Sequence, residues 1–362
     1  MPTGSLPLHA QSTVPSNGSP SRPPVVYTSR DYEEPAEYVH LLWPYWGPSH
    51  WFDRYPPLYD EFIREGRTLF TLTEAPDQAD FFLPPCGWQQ GGSRQALRMA
   101  ELAQRHGRPL LVFFCSDSSE DVPLAHAIVY RTSMARSTRK PHEHAWPIWT
   151  CDILRSYGGG TLARRRWTAR PSVGYCGYID YRNPFERAQR WLRGQISASM
   201  SLRGDAVRAL LASPAVEPRV ILRRRFGGAA TPRAREEFAR NLLSSDYALV
   251  SRGNGNFSFR LYEAMSAGTI PVFLDTDCCL PFDDAIAYRD LFVWVPATEA
   301  SRVAEFVHEH HSRLDDHSFN ERRRSIRDVY DRYLSPLGFH REMAARLAAR
   351  FRRDVPGLQE SS

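Results

Sequence analysis

Residues 247–277 read YALVSRGNGNFSFRLYEAMSAGTIPVFLDTD. The stretch falls into four parts. Residues 247–251 form an apolar, β-branched run. The break RGNGN follows. Residues 258–268 carry apolar positions at helical spacing and stop at Gly268, and residues 270–274 form a second buried run. Strand, loop, helix and strand in this order predict a βαβ unit, which joins two parallel strands. The loop then lies at the carboxyl end of a strand, where open α/β sheets bind ligands.

Outward from this unit the alternation continues. Strands are expected at residues 25–30, 79–85 and 109–117 and in AIVYRTS, with a helix over residues 93–107 and another in EFIREGRTL. Residues 43–59, WPYWGPSHWFDRYPPLY, hold four prolines and are expected to lack regular structure. After the flexible YGGGTLARRR, the text TARPSVGYCGYID opens a new strand. Helices are expected in NPFERAQRWLRGQI, in DAVRALLAS and in TPRAREEFARNLLSS, the last with Thr231 as cap. RVILRRRF and LFVWVP read as strands, and helices over 301–314 and 318–350 close the chain. The fold class expected is α/β with parallel sheets in both halves. The division is a disordered Pro/Ser/Gly-rich tail (1–24), an N-terminal domain (25–168), a C-terminal domain (169–340) and a terminal helix and tail (341–362).

Composition narrows the class. The chain has 362 residues, 42% hydrophobic and 24% charged, with a net charge of +5, the profile of an ordinary globular protein. Lys140 is the only lysine, so the positive charge is arginine, whose planar fork suits phosphate and carboxylate. No stretch approaches the roughly 20 apolar residues of a membrane span, and the N-terminus lacks the signature of a secretory signal. Six cysteines without a CxxC pair point to a reducing compartment, hence a cytoplasmic protein, with contact at the inner face of the membrane left open. The arginine runs ARRRW (163–167) and NERRRSIRD (320–328) suit an anionic acceptor or lipid diphosphate, but more often such runs are solvated faces. Without a recognised module they do not argue for nucleic acid.

The central loop has its own chemistry. Gly253 and Gly255 permit positive φ and close approach to a ligand. Asn256 or Ser258 can cap the following helix, whose free N–H groups favour an anion. Arg252 and Arg260 flank that helix start as a diphosphate clamp, and Glu263, one turn on from Arg260, is placed for ribose hydroxyls. The plain alternative is a turn followed by a surface Arg260–Glu263 pair.

The block RGNGNFSFRLYEAMSAGTIPVFLDTDCCLPF resembles the signature of the exostosin-like glycosyltransferase family, in its bacterial form. APDQADFFLPP and RPSVGYCGYID resemble two further blocks of that family, so the resemblance runs from about residue 25 to 340. It implies a GT-B fold, two Rossmann-like domains facing across a cleft. It also implies inverting transfer of a sugar from a nucleoside-diphosphate sugar to a glycan or glycolipid acceptor, in surface polysaccharide synthesis. By position, Arg252, Arg260 and Glu263 would then hold diphosphate and ribose, supported by Gly253, Gly255, Asn256 and Ser258, with Thr276 and Asp277 near the donor sugar.

Asp275-Thr276-Asp277 mimics a metal-binding DxD, but the arginine clamp makes a divalent metal dispensable, so neither metal nor cofactor is expected. An inverting transfer needs a general base. Asp117, at the end of LVFFCSD, is the first candidate, followed by Glu143 in KPHEHAWP and His50 in GPSHW. Trp43, Tyr45, Trp46 and Trp51 are candidates for stacking on acceptor sugars, and HEHH (308–311) is expected on an exposed helix. The competing reading is a catalytically degenerate carbohydrate- or nucleotide-binding subunit.

Overall fold

The computed structural model describes residues 22–34, 36–48, 57–89, 92–124, 126–179, 198–223 and 231–354. Two sheets organise them. The first contains β1 (Val25–Tyr27), β2 (Thr71–Thr73), β3 (Phe81–Phe82), β4 (Leu110–Phe114), β5 (Ala127–Arg131) and β6 (Glu143–Ala145), in the order β2-β1-β3-β4-β5-β6. The second contains β7 (Ser172–Tyr178), β8 (Glu217–Arg223), β9 (Tyr247–Val250), β10 (Ile270–Asp275) and β11 (Val293–Pro296), in the order β11-β10-β9-β7-β8. The strand pairings within both sheets are parallel. The α/β class with a parallel sheet in each half is therefore as expected. Parallel strands are covered on both faces and need uninterrupted apolar text. β4, LLVFF, is buried at every position.

The central βαβ unit forms as read. β9 pairs with β10 in the register Tyr247–Ile270, and the helix Phe259–Ser266 joins them. Gly268 ends that helix at φ +61°, and a Cβ there would lie 2.6 Å from Leu162 Cδ1, so both conformation and space demand glycine. Thr231 caps its helix through the Ala234 amide, as expected.

Several expectations change. Trp43–Trp46 forms one helical turn inside the proline-rich segment, because Pro44 stands in the first turn, where its missing N–H breaks no bond. Trp43 is core, 2% exposed, with its indole N–H donating to Tyr38 O, and is closed to any sugar. Tyr45, half-buried, donates its hydroxyl to Phe70 O. Trp51 lies outside the described residues, as do residues 183–196, where a helix was expected. The long terminal helix divides: a π-helical turn at Tyr330–Leu334 precedes a new helix, Pro336–Asp354, because Ser335 before proline is extended. Leu337, Phe339, Met343 and Leu347 of that helix join the core of the first sheet, so the chain crosses back to the N-terminal half before residue 340. Residues 22–24 are ordered, with the Arg22 guanidinium bidentate to Asp80 and Thr71 N donating to Pro24 O.

His311 is not exposed. It is 1% accessible, accepts or donates at Nδ1 with the Tyr247 hydroxyl and stacks on Trp167. The arginine runs are mostly committed inside the protein. Arg164 pairs with Asp316 and Arg165 with Asp246. Arg323 donates to Gly268 O and Ala163 O, and Arg327 is bidentate to Asp152. They read as internal ties rather than an anionic-surface contact.

Candidate donor site between the two domains

The loop after β9 is tied down from behind. Arg203 donates to Ser251 Oγ, Arg252 O and Tyr178 O, and Gly253 N donates to Phe257 O. Ser258 takes the N-cap position, but its side chain makes no capping bond, so the first-turn amides of the helix keep no side-chain acceptor. Asn256 does not cap either. Its amide nitrogen donates to Met134 O and Thr276 O, its Oδ1 accepts from Thr276 Oγ1, and its backbone N–H donates to Ser133 Oγ. The reason is positional: Asn256 is buried against the N-terminal domain, two residues before the cap.

The glycines act differently from expectation. Neither Gly253 nor Gly255 is among the positive-φ residues. Nothing crowds Gly253, whereas a Cβ on Gly255 would meet Asp117 Oδ1 at 2.8 Å and Asp117 Cα at 2.9 Å. Gly255 is required by close approach, and the residue it approaches is the first candidate base. Asp117, exposed at the carboxyl edge of the first sheet, thus lies directly against the donor loop. Burial pushes the carboxyl of nearby half-buried Glu37 up, and the Cys115 thiol is influenced by both acids.

Arg252, Ser258 and Thr276 line one hollow with Phe257, Tyr262 and Cys278. The Arg252 Nη2 donates to Asn254 O. Arg260 lies across the carboxyl end of β7, donating to Cys176 O at 2.7 Å, its guanidinium 4.7 Å from the Tyr175 ring centroid. A Cβ at Gly177 would come within 2.8 Å of that guanidinium. The Nε atoms of both Arg252 and Arg260 are buried with no hydrogen-bond partner among the described residues. An unpaired buried N–H costs about 1–3 kcal/mol, which a bound acceptor would recover.

Glu263 does not pair with Arg260 on the surface. It is buried, accepts from Thr150 Oγ1 and forms an ion pair with Arg235 at 2.9 Å. Arg235 and Thr150 were missed in the sequence because they come from the helix Pro232–Ser244 and from the connection between the sheets. No local pattern links them to residue 263. Arg235 and Arg260 both stand over Phe238, at 5.5 and 5.9 Å, so two guanidinium groups converge on one region.

Glu143 is corrected as a base. It is 4% exposed and holds Arg131 Nη1 at 2.8 Å and the Lys140 amide at 2.9 Å, which commits it to a buried ion pair. Its alternation in KPHEHAWP turned it into the sheet while His144 faces the other way, with a pKa lowered to about 4 by burial. His50 lies outside the described residues. Asp275 and Asp277 hold protein groups. Arg136 Nη2 donates to both carboxylate oxygens of Asp275, at 2.9 and 2.8 Å, Trp294 Nε1 donates to Asp275, and Ser137 N and Oγ donate to Asp277. Asp277 therefore faces the N-terminal domain. No group of three or more metal-ligating side chains occurs among the described residues.

Residues 197–310 match the family model of the Exostosin GT47 domain. The chain is 32% identical over 103 residues to the Exostosin-1 homolog of Caenorhabditis elegans, covering 28% of this chain and 26% of that protein. It is 34% identical over 73 residues to Exostosin-1 of Drosophila melanogaster, covering 20% of this chain and 10% of that one. It therefore spans about a quarter or less of the length of these relatives. A crystal structure of an alpha1,3-fucosyltransferase aligns over 97% of this chain and 94% of its own at 12% identity, with a TM-score of 0.35, too weak a likeness to inform fold or function. The matched segment spans the helix Ala198–Ala212 and carries the loop after β9, Arg252, Arg260 and Glu263. Over that segment, the chain is similar to the exostosin glycosyltransferases.

Proposed function

We propose that the protein is an inverting glycosyltransferase that moves a sugar from a nucleoside-diphosphate sugar to a glycan or glycolipid acceptor in surface polysaccharide synthesis. The observation that carries the reading is the pair of buried Nε donors on Arg252 and Arg260 that have no partner among the described residues, beside a helix start with no side-chain cap. Such an arrangement favours a diphosphate: fixed donors and the helix dipole neutralise the charge that develops on the leaving group. Glu263, oriented by Arg235 and Thr150, is placed to accept from ribose hydroxyls. Gly253, Gly255 and Asn256 shape the loop, and Thr276 and Asp277 close its far side.

Asp117 is the proposed base. An inverting displacement needs a carboxylate across from the donor loop to take the acceptor hydroxyl proton as the sugar carbon is attacked and the nucleoside diphosphate leaves. The close approach of Asp117 to Gly255 supports that role and favours an enzyme over a degenerate binding subunit. Asp275 and Asp277 are engaged by Arg136 and Ser137, so the leaving-group charge is assigned to the arginines and no divalent cation is invoked. Nucleic acid is not among the proposed partners.

The test is a thermal-shift screen with UDP, GDP, ADP and CMP and their sugars, followed by calorimetry on Arg260→Ala. A ligand that binds only the native state raises the melting temperature. Loss of a charge-assisted contact to phosphate should weaken affinity by about 1.5–3 kcal/mol. Unchanged affinity in Arg260→Ala would refute the diphosphate role. Turnover that needs Mn²⁺ after EDTA treatment would refute metal independence.

A further inference from the structure

Residues 133–139 and 275–283 meet across the domain boundary in an unusually dense set of bonds. Arg136 is at their centre. Its side chain grips Asp275 and donates to Cys278 O at 3.0 Å, while its backbone N–H donates to Asp277 O at 2.8 Å. Ala135 and Cys278 form an antiparallel bridge, and Cys279 N donates to Met134 O. Arg139 adds a pair to Asp283 at 2.8 Å. Asp275 is held below the usual carboxylate range: burial works to raise it, but hydrogen bonds from Arg136 and Trp294 and the Arg136 charge outweigh that. Asp277 sits at φ +62°, a conformation that few non-glycine residues adopt, and its carboxylate is pinned there by Ser137.

The same contacts run into the donor loop. Asn256 bonds Ser133 and Met134 on one side and Thr276 on the other, and Cys278 Sγ donates to Asn256 O. The geometry points to an interdomain latch: Arg136 is a positioning residue that, through the Asp275–Asp277 turn and Asn256, holds the C-terminal loop against the N-terminal edge that carries Asp117. The Asp-Thr-Asp motif thus binds a guanidinium of the other domain. Arg136 touches no proposed donor atom; its effect on donor binding rests on the donor-site reading above, while the latch itself does not.

The experiment is hydrogen exchange on the full chain without ligand, comparing wild type with Arg136→Ala, Arg136→Lys and Ser137→Ala. In Arg136→Ala the amides of Asn256, Asp277 and Cys279 should exchange about tenfold faster or more, the loss expected for a charge-assisted bond. The amides of β9 should keep their protection. Lysine keeps the charge but not the fork, so Arg136→Lys should recover only part. Ser137 is exposed, so Ser137→Ala folds, and it should give a smaller rise at Asp277 and Asn256. Acceleration confined to 135–139, or an equal rise throughout β9, overturns the proposal. UDP, GDP, ADP and CMP titrations form the second arm. Whichever binds wild type should bind Arg136→Ala about tenfold more weakly and Arg136→Lys in between; equal affinity would overturn the coupling to the loop. If none of UDP, GDP, ADP and CMP binds wild type, the donor reading fails while the exchange result still decides the latch.

Discussion

Replacing Glu143 by glutamine separates a base from a structural ion. Arg131 and Glu143 side chains are 3% and 5% exposed and 2.8 Å apart. Arg131 also donates to Ser133 O at 3.0 Å and Ser118 O at 3.1 Å, the residues that flank Asp117 and the latch. Glu143→Gln leaves a buried guanidinium without its counter-charge, which costs about 3–5 kcal/mol. At about 2–4 °C per kcal/mol for domains of this size, the melting temperature should fall by roughly 6–20 °C. Arg131→Met alone should be comparably damaging. The double variant Arg131→Met/Glu143→Met should recover most of the loss, because replacing both charges by apolar volume is often neutral. The unpaired Ser133 and Ser118 carbonyls limit the recovery by about 1 kcal/mol each. Urea denaturation of all four proteins gives the cycle directly. A Glu143→Gln protein that melts within about 1 °C of wild type would refute the claim that the pair is a buried structural ion pair, and would return Glu143 to the list of bases.

Gly255→Ala should place a methyl 2.5 Å from Phe257 Cε1 and 2.9 Å from Asp117 Cα. The ring can move but the backbone cannot easily, so about 1–3 kcal/mol of strain should appear in denaturation, together with displacement of Asp117 visible in exchange at 116–118; Gly253→Ala serves as the control, with nothing expected. Asp117→Asn should lower kcat by roughly 10²–10⁴-fold with donor affinity kept. If it does not, Glu37→Gln is the next variant. Stability should fall with acid. His340 is fully buried and stacked on Phe62, with Nδ1 on Pro336 O and Nε2 without a partner among the described residues, and burial lowers its pKa to about 4. The unfolded chain binds that proton first, near pH 6.5, so stability present above that pH is lost as pH falls from 6.5 to 4, by up to about 1.4 kcal/mol per unit. His340→Phe should reduce the dependence of urea midpoints on pH across this window, the remainder coming from His40, His144 and His310, which burial also lowers; an unchanged slope would contradict the assignment.

The alternation of apolar runs and helical text was enough to determine an α/β chain with parallel sheets, because a strand buried on both faces must be apolar throughout, as in LLVFF. The loop RGNGN was identifiable for the same local reason: it interrupts a strand and a helix that could be delimited by Gly268 and by spacing alone. Local text does not carry partners. Glu263 looked like the mate of Arg260 because three residues on a helix are neighbours. Its actual partners, Arg235 and Thr150, arrive from separate elements through packing of the helix Pro232–Ser244 and the inter-sheet connection. Glu143 looked available because burial is a property of the sheet, not of the word HEH. The motif Asp275-Thr276-Asp277 has the same sequence whether it binds a metal or an arginine. Only the closing of the two domains supplied Arg136, 139 residues away along the chain, as its occupant. What the sequence settled was therefore what each segment is, since periodicity is written locally. Tertiary structure settled what each charged group is for, since a charge is defined by what long-range folding brings beside it.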